Sequence, residues 1–324
     1  MAYTTINKSS DYFNNKIWTG TGSENAQTGV GFQPDFTWIK RREVNSHRLF
    51  DAVRGATKLL ESDTTAAETT DAQELKSFDS DGFTLGTGTK VNASGGTYAS
   101  WNWKAGTTSG IATNGSTVIT PSAYSFNQTS GFSVVKYTGN GNTTTKVAHG
   151  LGSVPKMLII KKTSAGGDNW KVYHVSVGNT TALQLDNTGA TAGGSDNFYD
   201  TTPDTVNFTL GNHTSVNANG ATYVAYCFAE KTGFSKFGSY TGNGNADGAY
   251  VYTGFKPAFV LIKSSTTAMY WHIFDDERLG YNPYNYRLNP NASEAETTTT
   301  NHVDIMSNGF KIRTDQQQFG TNGA

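Results

Sequence analysis

The segment Pro155-Lys-Met-Leu-Ile-Ile-Lys161 is an apolar run that begins with a proline and ends with a lysine. Two further runs keep the same proline-to-lysine spacing, at residues 34–40 (PDFTWIK) and 257–263 (PAFVLIK). A short apolar run bounded by turn residues is typical of a strand that is buried on both faces. Proline is tolerated where a strand begins, because its first residue need not donate to the ladder. The three runs therefore predict three equivalent central strands.

The sequence around each run repeats as well. A Thr-Gly-x-Gly segment precedes each run, at residues 19–22, 138–141 and 241–244, so the copies are 119 and 103 residues apart. Strand-forming segments of matching character flank the runs in the same order. We predict strands at residues 16–18, 136–137 and 238–240, at 48–51, 170–174 and 271–275, at 59–60, 183–185 and 286–288, at 82–86, 207–211 and 309–312, and at 99–103 and 224–229.

The composition favours the same fold class. The 324 residues include 47 Thr, 36 Gly and 28 Asn but only 13 Leu, which suits strands and turns and argues against a helical bundle. Strands spaced at about ten residues are typical of sandwiches. We predict an all-β chain of three tandem, jelly-roll-like β-sandwich repeats of about 90–110 residues each. Residues 51–61 and 72–78 are also compatible with a short helical turn.

The predicted domains are repeat 1 at residues 1–106, a linker or arm at 107–130 with one strand at 116–119, repeat 2 at 131–232 and repeat 3 at 233–324. Repeats 1 and 2 pass through an Asn-Ala-x-Gly-x-Thr-Tyr segment, at 92–98 and 217–223, into a last apolar strand. Repeat 3 reaches Thr321-Asn-Gly-Ala324 without that strand. Because an unpaired sheet edge promotes aggregation, we expect that the natural polypeptide continues or that a partner strand fills the gap.

Charge and cysteine content exclude several classes of protein. With 25 Lys and Arg against 26 Asp and Glu, the net charge is −1, so the chain lacks the basic surface that nucleic-acid binding requires. It contains no apolar run of the length that crosses a membrane, and residues 1–15 lack the pattern of a signal peptide. The single cysteine, Cys227, lies in an apolar run and is predicted to be buried rather than reactive, with no disulfide or cysteine-based zinc site.

Three groups of acidic residues are candidate sites. The segment Asp79-Ser-Asp81-Gly82 resembles the start of a calcium loop but lacks the glutamate that closes one, so we interpret it as a turn. Asp51 with Arg54 and Asp275 with Arg278 repeat at i,i+3, which predicts either a turn-bracing ion pair or a polar ligand contact. Repeat 2 has His174 and Val177 at these positions. The adjacent acids at 275–277 do not predict glycoside hydrolysis, because neighbouring strand residues point to opposite faces.

The remaining candidates predict no catalytic, cofactor or metal site. The six histidines form no metal-binding spacing; they are His47, His149, His174, His213, His272 and His302. The Thr-Gly-x-Gly segments lack a following Gly-Lys-Ser/Thr and a helix start, so we predict hairpin turns rather than a phosphate cradle. Four tryptophans are either core residues or sugar-stacking residues; they are Trp101, Trp103, Trp170 and Trp271.

The repeated patterns TG[TN]G, Pro-to-Ile-Lys, DGFTLG and NASGGTY, together with the opening MAYTTINKSSDYFN and residues 119–126, resemble a repeat family of virion proteins from marine bacteriophages, including phages of cyanobacteria. The resemblance covers essentially the whole chain. It implies a structural component of the particle, in the tail-fibre, tail-spike or head-decoration class. It supplies no catalytic residue.

The expected function is therefore that of a non-enzymatic virion protein, in a tail fibre or appendage used for assembly or host adhesion. The expected location is the virion, assembled in the host cytoplasm, with other virion proteins as partners. By analogy with other fibres we expect a homotrimer. The alternatives are a capsid decoration protein, a carbohydrate-binding module that recognises host surface glycans, and a polysaccharide-degrading spike.

Overall fold

A computed structural model of the chain describes residues 4–320, and nearly all of its regular structure consists of antiparallel β-sheets. This confirms the predicted all-β, sandwich-type fold. For description, unit 1 is residues 4–106, unit 2 is residues 107–232 and unit 3 is residues 233–320. Within these residues no helix is long and apolar enough to cross a membrane.

Unit 1 begins with a 3-10 turn, Ser9–Asp11, and continues with β1 (Phe13–Thr19), β2 (Asn25–Gln27), β3 (Phe36–Arg41), β4 (Arg48–Asp51), β5 (Lys58–Glu61), β6 (Thr69–Thr70), β7 (Leu75–Asp79), β8 (Gly82–Leu85), the helix α1 (Thr89–Asn92) and β9 (Thr97–Trp103). One sheet has the order β1-β9-β3-β4-β5-β6 and the other β2-β8-β7. The last strand, β9, therefore lies between β1 and β3. Side chains from both sheets form the core between them, including Ile39, Phe50, Leu75, Phe83 and Tyr98.

Unit 2 contains β10 (Ala123–Asn127), β11 (Phe132–Thr138), β12 (Thr145–Ala148), β13 (Pro155–Lys162), β14 (Lys171–His174), β15 (Gly178–Gln184), β16 (Ala192–Gly193), α2 (Ser195–Phe198), β17 (Asn207–Leu210), α3 (Thr214–Asn217) and β18 (Thr222–Ala229). Its large sheet has the order β10-β11-β18-β13-β14-β15-β16, and β12 pairs with β17. Here too the last strand, β18, lies between β11, the strand that leads into the Thr-Gly-x-Gly segment, and β13, the proline-to-lysine strand.

Unit 3 contains β19 (Tyr250–Tyr252), β20 (Phe259–Ile262), β21 (His272–Asp275), β22 (Val303–Met306) and β23 (Gly309–Ile312). Its sheets are β19-β23-β22 and β20-β21. The strand predicted at 238–240 is wrong. Its counterparts β1 and β11 each pair with the last strand of their unit, and the described part of unit 3 has no such strand. The strand predicted at 286–288 is also wrong, because only isolated bridges from Arg287 and Leu288 form there.

Two further expectations can be compared with the structure, and a third cannot. Residues 51–61 and 72–78 contain turns and the strands β4, β5 and β7 rather than helical turns. The segment 107–130 contains β10, which pairs with β11, whereas the strand predicted at 116–119 is reduced to a bridge between Ile119 and Val147. The prediction of a missing last strand after Thr321-Asn-Gly-Ala324 concerns residues outside those that the structure describes.

The Thr-Gly-x-Gly segments of units 1 and 2 are not hairpin turns. Each connects a strand of the large sheet to a strand of the small sheet. The amides of Gly20 and Gly22 donate to the carbonyls of Gly96 and Asn92, so the segment packs against the loop that precedes β9. Gly139 and Gly141 make the corresponding contacts in unit 2. These segments join the two sheets, which sequence spacing alone did not reveal.

The large sheets of units 1 and 2 and the β20-β21 sheet meet in one shared apolar core. Alternate residues of β9 and β18 point into two different cores, so both strands are buried on both faces. Tyr98 lies in the core of its own unit, whereas Trp101 and Tyr226 lie in the shared core. Other members of the shared core are Phe36, Trp38, Leu49, Val134, Ile159, Trp170, Val172, Val224, Trp271 and Ile273. The units are thus joined by a continuous apolar core.

Candidate functional site

The turn that follows β4 carries a buried ion pair. Asp51 accepts hydrogen bonds from the Arg54 backbone amide (2.8 Å) and from Arg54 Nε (2.5 Å). Arg54 also donates to Glu68 (3.2 Å) and to the Leu49 carbonyl (3.0 Å). The side chains of Asp51 and Arg54 are 0% exposed. Burial alone would lower the pKa of Arg54, but Asp51, Tyr226 and Glu68 together outweigh it and hold the pKa above its ordinary value.

The turn that follows β21 repeats this arrangement. Asp275 accepts from the Arg278 amide (3.0 Å) and from Arg278 Nε (2.5 Å). Arg278 donates to Glu296 (2.5 Å, Nη1 to Oε1) and to the Ile273 carbonyl (3.1 Å). The predicted i,i+3 ion pairs are therefore present in both places. The two glutamates were missed, because they follow their arginines by 14 and 18 residues, a spacing that does not repeat.

Each ion pair accepts a hydrogen bond from the last strand of a different unit. The Tyr226 hydroxyl, on β18, donates to Asp51 Oδ2 at 2.8 Å. Trp101 Nε1, on β9, donates to Asp275 Oδ2 at 3.0 Å. Trp101 and Tyr226 occupy the same position, the fifth residue of each strand. Unit 2 thus contacts unit 1 through the same pair of positions by which unit 1 contacts unit 3.

The equivalent position in unit 2 is His174. It is half-buried and accepts a hydrogen bond from the Ser176 amide at 3.2 Å through Nδ1. Burial lowers its pKa below the ordinary value for histidine. Val177 replaces the arginine, so no ion pair forms here, and both residues line a cavity that faces unit 3.

A second set of contacts follows the same order between units. Trp170 Nε1, in unit 2, donates to the Glu61 carbonyl in unit 1 at 3.0 Å. Trp271 Nε1, in unit 3, donates to the Gln184 carbonyl in unit 2 at 2.7 Å. His47 is the matching residue of unit 1, and burial holds its pKa well below the ordinary value despite the opposing effect of the Asn289 backbone in unit 3.

A third set, made by the backbone, closes a ring. The Glu68 amide of unit 1 donates to Thr163 O of unit 2 at 3.1 Å, and the Thr191 amide of unit 2 donates to Ser265 O of unit 3 at 3.3 Å. The amide of Glu296, in unit 3, donates to Arg42 O of unit 1 at 2.7 Å. The acceptors stand two residues after the lysine that ends each proline-to-lysine run. Each unit therefore donates to the next and accepts from the previous one.

The other acidic candidates are engaged in local contacts. Asp79 accepts from the hydroxyls of Ser77 and Thr84. Asp81 accepts from the amides of Gly29 (2.9 Å) and Gly31 (2.7 Å), and these hydrogen bonds lower its pKa. These contacts agree with the interpretation of residues 79–82 as a turn. In the part of the chain that the structure describes, no three His, Cys, Asp or Glu side chains come together as metal ligands would.

Asp275, the last residue of β21, and Asp276, the residue after it, contact different partners. Asp276 accepts from Asn15 Nδ2 at 3.1 Å, and burial raises its pKa. Cys227 is buried, as predicted, and burial raises the pKa of its thiol. Four other histidines have separate hydrogen-bond partners: His149 contacts Asp204, His213 caps α3, His272 contacts Asn289 and His302 contacts Arg287.

The four tryptophans are core residues. Trp101, Trp170 and Trp271 are buried, and Trp103 packs half-buried against the same shared core. The exposed aromatic side chains were not singled out by the sequence. Tyr250 (44% exposed) and Tyr252 (61% exposed) lie on β19, and Tyr281 (67% exposed) lies in the loop after β21.

The fold and these contacts define an all-β protein whose sandwich-type sheets are joined by buried polar contacts. Residues 8–324 match the model of a family described as a domain of unknown function, DUF7483, and the chain belongs to that family. No curated protein and no solved structure matches it.

Proposed function

We propose that this chain is a non-enzymatic structural component of a bacteriophage virion, placed in a tail fibre or appendage and used in assembly or host adhesion. The resemblance of its repeated patterns to virion proteins of marine bacteriophages supports the proposal. The chemistry of the described residues supports it too, because two of the acidic residues singled out in the sequence are committed to contacts between units. Asp51 and Asp275 are buried and hydrogen-bonded to arginine and to another unit.

The observation that carries the proposal is the ring of backbone hydrogen bonds from Glu68, Thr191 and Glu296. Together with the shared core, it fixes the orientation of each unit against its neighbours. Buried ion pairs add little net stability, but they penalise arrangements in which one partner is left alone. An assembly of units with fixed orientations suits a structural protein that transmits load and presents fixed surfaces in a virus particle.

The test is the composition and structure of purified phage particles. We expect mass spectrometry to find this chain at a fixed copy number and cryo-electron microscopy to place it on a fibre or appendage, as a homotrimer by analogy with other fibres. Density at lattice positions on the capsid shell would show that the chain is a capsid decoration protein rather than a fibre protein. Absence of the chain from intact, infectious particles would overturn the proposal.

A second candidate function, glycan recognition, is favoured by the exposed pair Tyr250 and Tyr252. The two rings stand at alternate positions of β19 and so share one face of the strand. The hydroxyl of Tyr250 donates to Asn308 at 2.5 Å, which places an amide beside the rings. Aromatic rings with a nearby amide suit stacking and hydrogen bonding to a sugar. A glycan array should give signals that Tyr252→Ala removes and that Val44→Ser, an exposed change in unit 1, preserves; an array without signals would exclude this function.

A further inference from the structure

A cavity of about 690 Å³ lies where unit 3 meets units 1 and 2. Unit 2 contributes Phe132, Met157 and Phe228 to its lining, and unit 3 contributes Phe259 and Leu261. The lining is thus mainly apolar and includes one face of β20. Nothing in residues 4–320 fills this space.

The cavity occupies the place that a last strand fills in the other units. β9 pairs with both β1 and β3, and β18 pairs with both β11 and β13. In unit 3 the corresponding place is between residues 238–240 and β20. The consequence shows in burial: Phe36 and Trp38 of β3 are 1% and 2% exposed, whereas their counterparts Phe259 and Leu261 are only half-buried.

The backbone of β20 is available on the cavity side. The Asp276 amide donates to the Ala258 carbonyl, so Ala258 pairs towards β21. Antiparallel ladders alternate, which assigns Val260 and Ile262 to β21 as well and turns the N–H and C=O groups of Phe259 and Leu261 towards the cavity. The cavity therefore offers both an apolar floor and a hydrogen-bonding edge, the two requirements for adding a strand.

The order of contacts between units identifies what the added strand would face. Tyr226 of unit 2 reaches Asp51 of unit 1, and Trp101 of unit 1 reaches Asp275 of unit 3. By the same order, a last strand of unit 3 would reach the equivalent position of unit 2, which is His174, and His174 lines the cavity. The central residue of a strand in this place would therefore meet His174.

The occupant has to come from outside the described residues. In units 1 and 3 the turn contacted by a last strand carries a buried ion pair, whereas unit 2 has His174 and Val177 there, which favours a strand that arrives from another chain after folding. We propose that the cavity binds an extended strand from another polypeptide chain, with bulky apolar side chains at alternate positions and a Tyr or Trp opposite His174. The identity of that chain as a virion protein rests on the proposed function, whereas the binding of the strand does not.

The experiment uses the 324-residue protein and a synthetic peptide with the β18 sequence of residues 222–229, carrying Cys227→Ser to prevent oxidation. We expect one peptide to bind per chain by calorimetry, and a scrambled peptide not to bind. Hydrogen exchange should slow at the amides of Phe259 and Leu261 and stay unchanged at Val260, which already pairs with β21. Protection at another sheet edge, or no binding, would overturn the proposal.

Three variants and one control locate the contact between the peptide and the cavity. The peptide change Tyr226→Phe should weaken binding about fivefold, the equivalent of one hydrogen bond, and His174→Ala in the protein should abolish this difference. Leu261→Pro should weaken binding at least tenfold because it removes a donor from the edge of β20, whereas Val44→Ser should leave it unchanged.

A chain extended beyond Ala324 by the same peptide sequence should no longer bind the free peptide. Continued binding would place the site elsewhere and overturn the proposal. Because all these measurements use the purified protein, absence of the chain from phage particles would refute the proposed function and leave the strand site intact.

Discussion

The hydrogen bond from Tyr226 to Asp51 provides the sharpest test of how the units are held together. Tyr226→Phe removes the hydroxyl that lies 2.8 Å from Asp51 Oδ2 and 3.3 Å from Arg54 Nη2, in a region that solvent does not reach. The phenylalanine ring keeps the stacking on Phe36, whose centroid is 4.3 Å away, so no cavity forms. A buried hydrogen bond to a charged group contributes about 1.5–3 kcal/mol. We therefore expect the free energy of unfolding to fall by about 2 kcal/mol.

The matched control is Tyr137→Phe. Tyr137 is equally buried, but its hydroxyl donates to a neutral acceptor within its own unit, the Val216 carbonyl, at 2.7 Å. Its removal should cost about 1 kcal/mol. Urea unfolding followed by circular dichroism measures both variants, with an unchanged m-value as the condition for comparing them.

A double-mutant cycle with Asp51→Asn isolates the contact between the units. We expect a coupling energy of about 1–2 kcal/mol between Tyr226 and Asp51, and none between Tyr137 and Asp51, because only neighbouring side chains couple. If Tyr226→Phe costs no more than Tyr137→Phe and shows no coupling to Asp51, the ion pair does not bind unit 2 to unit 1 in the way described.

Three further changes test other parts of the fold. Burial lowers the pKa of His149 to about 4, so the neutral imidazole stabilises the fold above pH 6.5 and this stabilisation is lost as the pH falls towards 4. Between pH 6.5 and pH 5, thermal unfolding should show that the free energy of unfolding falls by about 2 kcal/mol less in His149→Gln than in the parent protein. Asn217→Ala should cost about 3 kcal/mol in urea unfolding, because the buried amide bonds three backbone groups, at 2.8–3.0 Å. Gly211→Ala should cost more than Gly220→Ala in the same assay, since a Cβ at Gly211 would lie 2.1 Å from a backbone oxygen and one at Gly220 meets nothing within 4 Å.

Much of the fold could be predicted because its signals are local. The proline-to-lysine runs became β3, β13 and β20, and the Phe-Thr-Leu segments became β8 and β17. The hydrophobic period, the aromatic content and the flanking glycines are properties of neighbouring residues, so they can be read without knowledge of the tertiary structure. The ion pair of Asp51 and Arg54 was visible for the same reason.

The contacts between units could not be predicted, because the partners are far apart in sequence. Tyr226 is 175 residues from Asp51, and Trp101 is 174 residues from Asp275. The sequence indicated only that both aromatic residues are apolar and repeat at one position. The strand predicted at 238–240 failed for a related reason: its pairing depends on a neighbour rather than on its own residues, and an aromatic segment without that neighbour stays irregular.

The replacement of the ion pair at His174 follows from the same geometry. Asp51 and Asp275 stand where a last strand of this chain covers them, so both carboxylates are desolvated together with their arginines when the chain folds. At His174 no described strand arrives. An aspartate and arginine there would stay hydrated until a strand bound, and each would then lose its water at a cost that the pair only partly repays. A histidine whose lowered pKa keeps it neutral at pH 7, beside Val177, carries no such penalty. The unit without an ion pair is thus the one whose turn no strand of residues 4–320 covers, which fits the proposed binding site for an added strand.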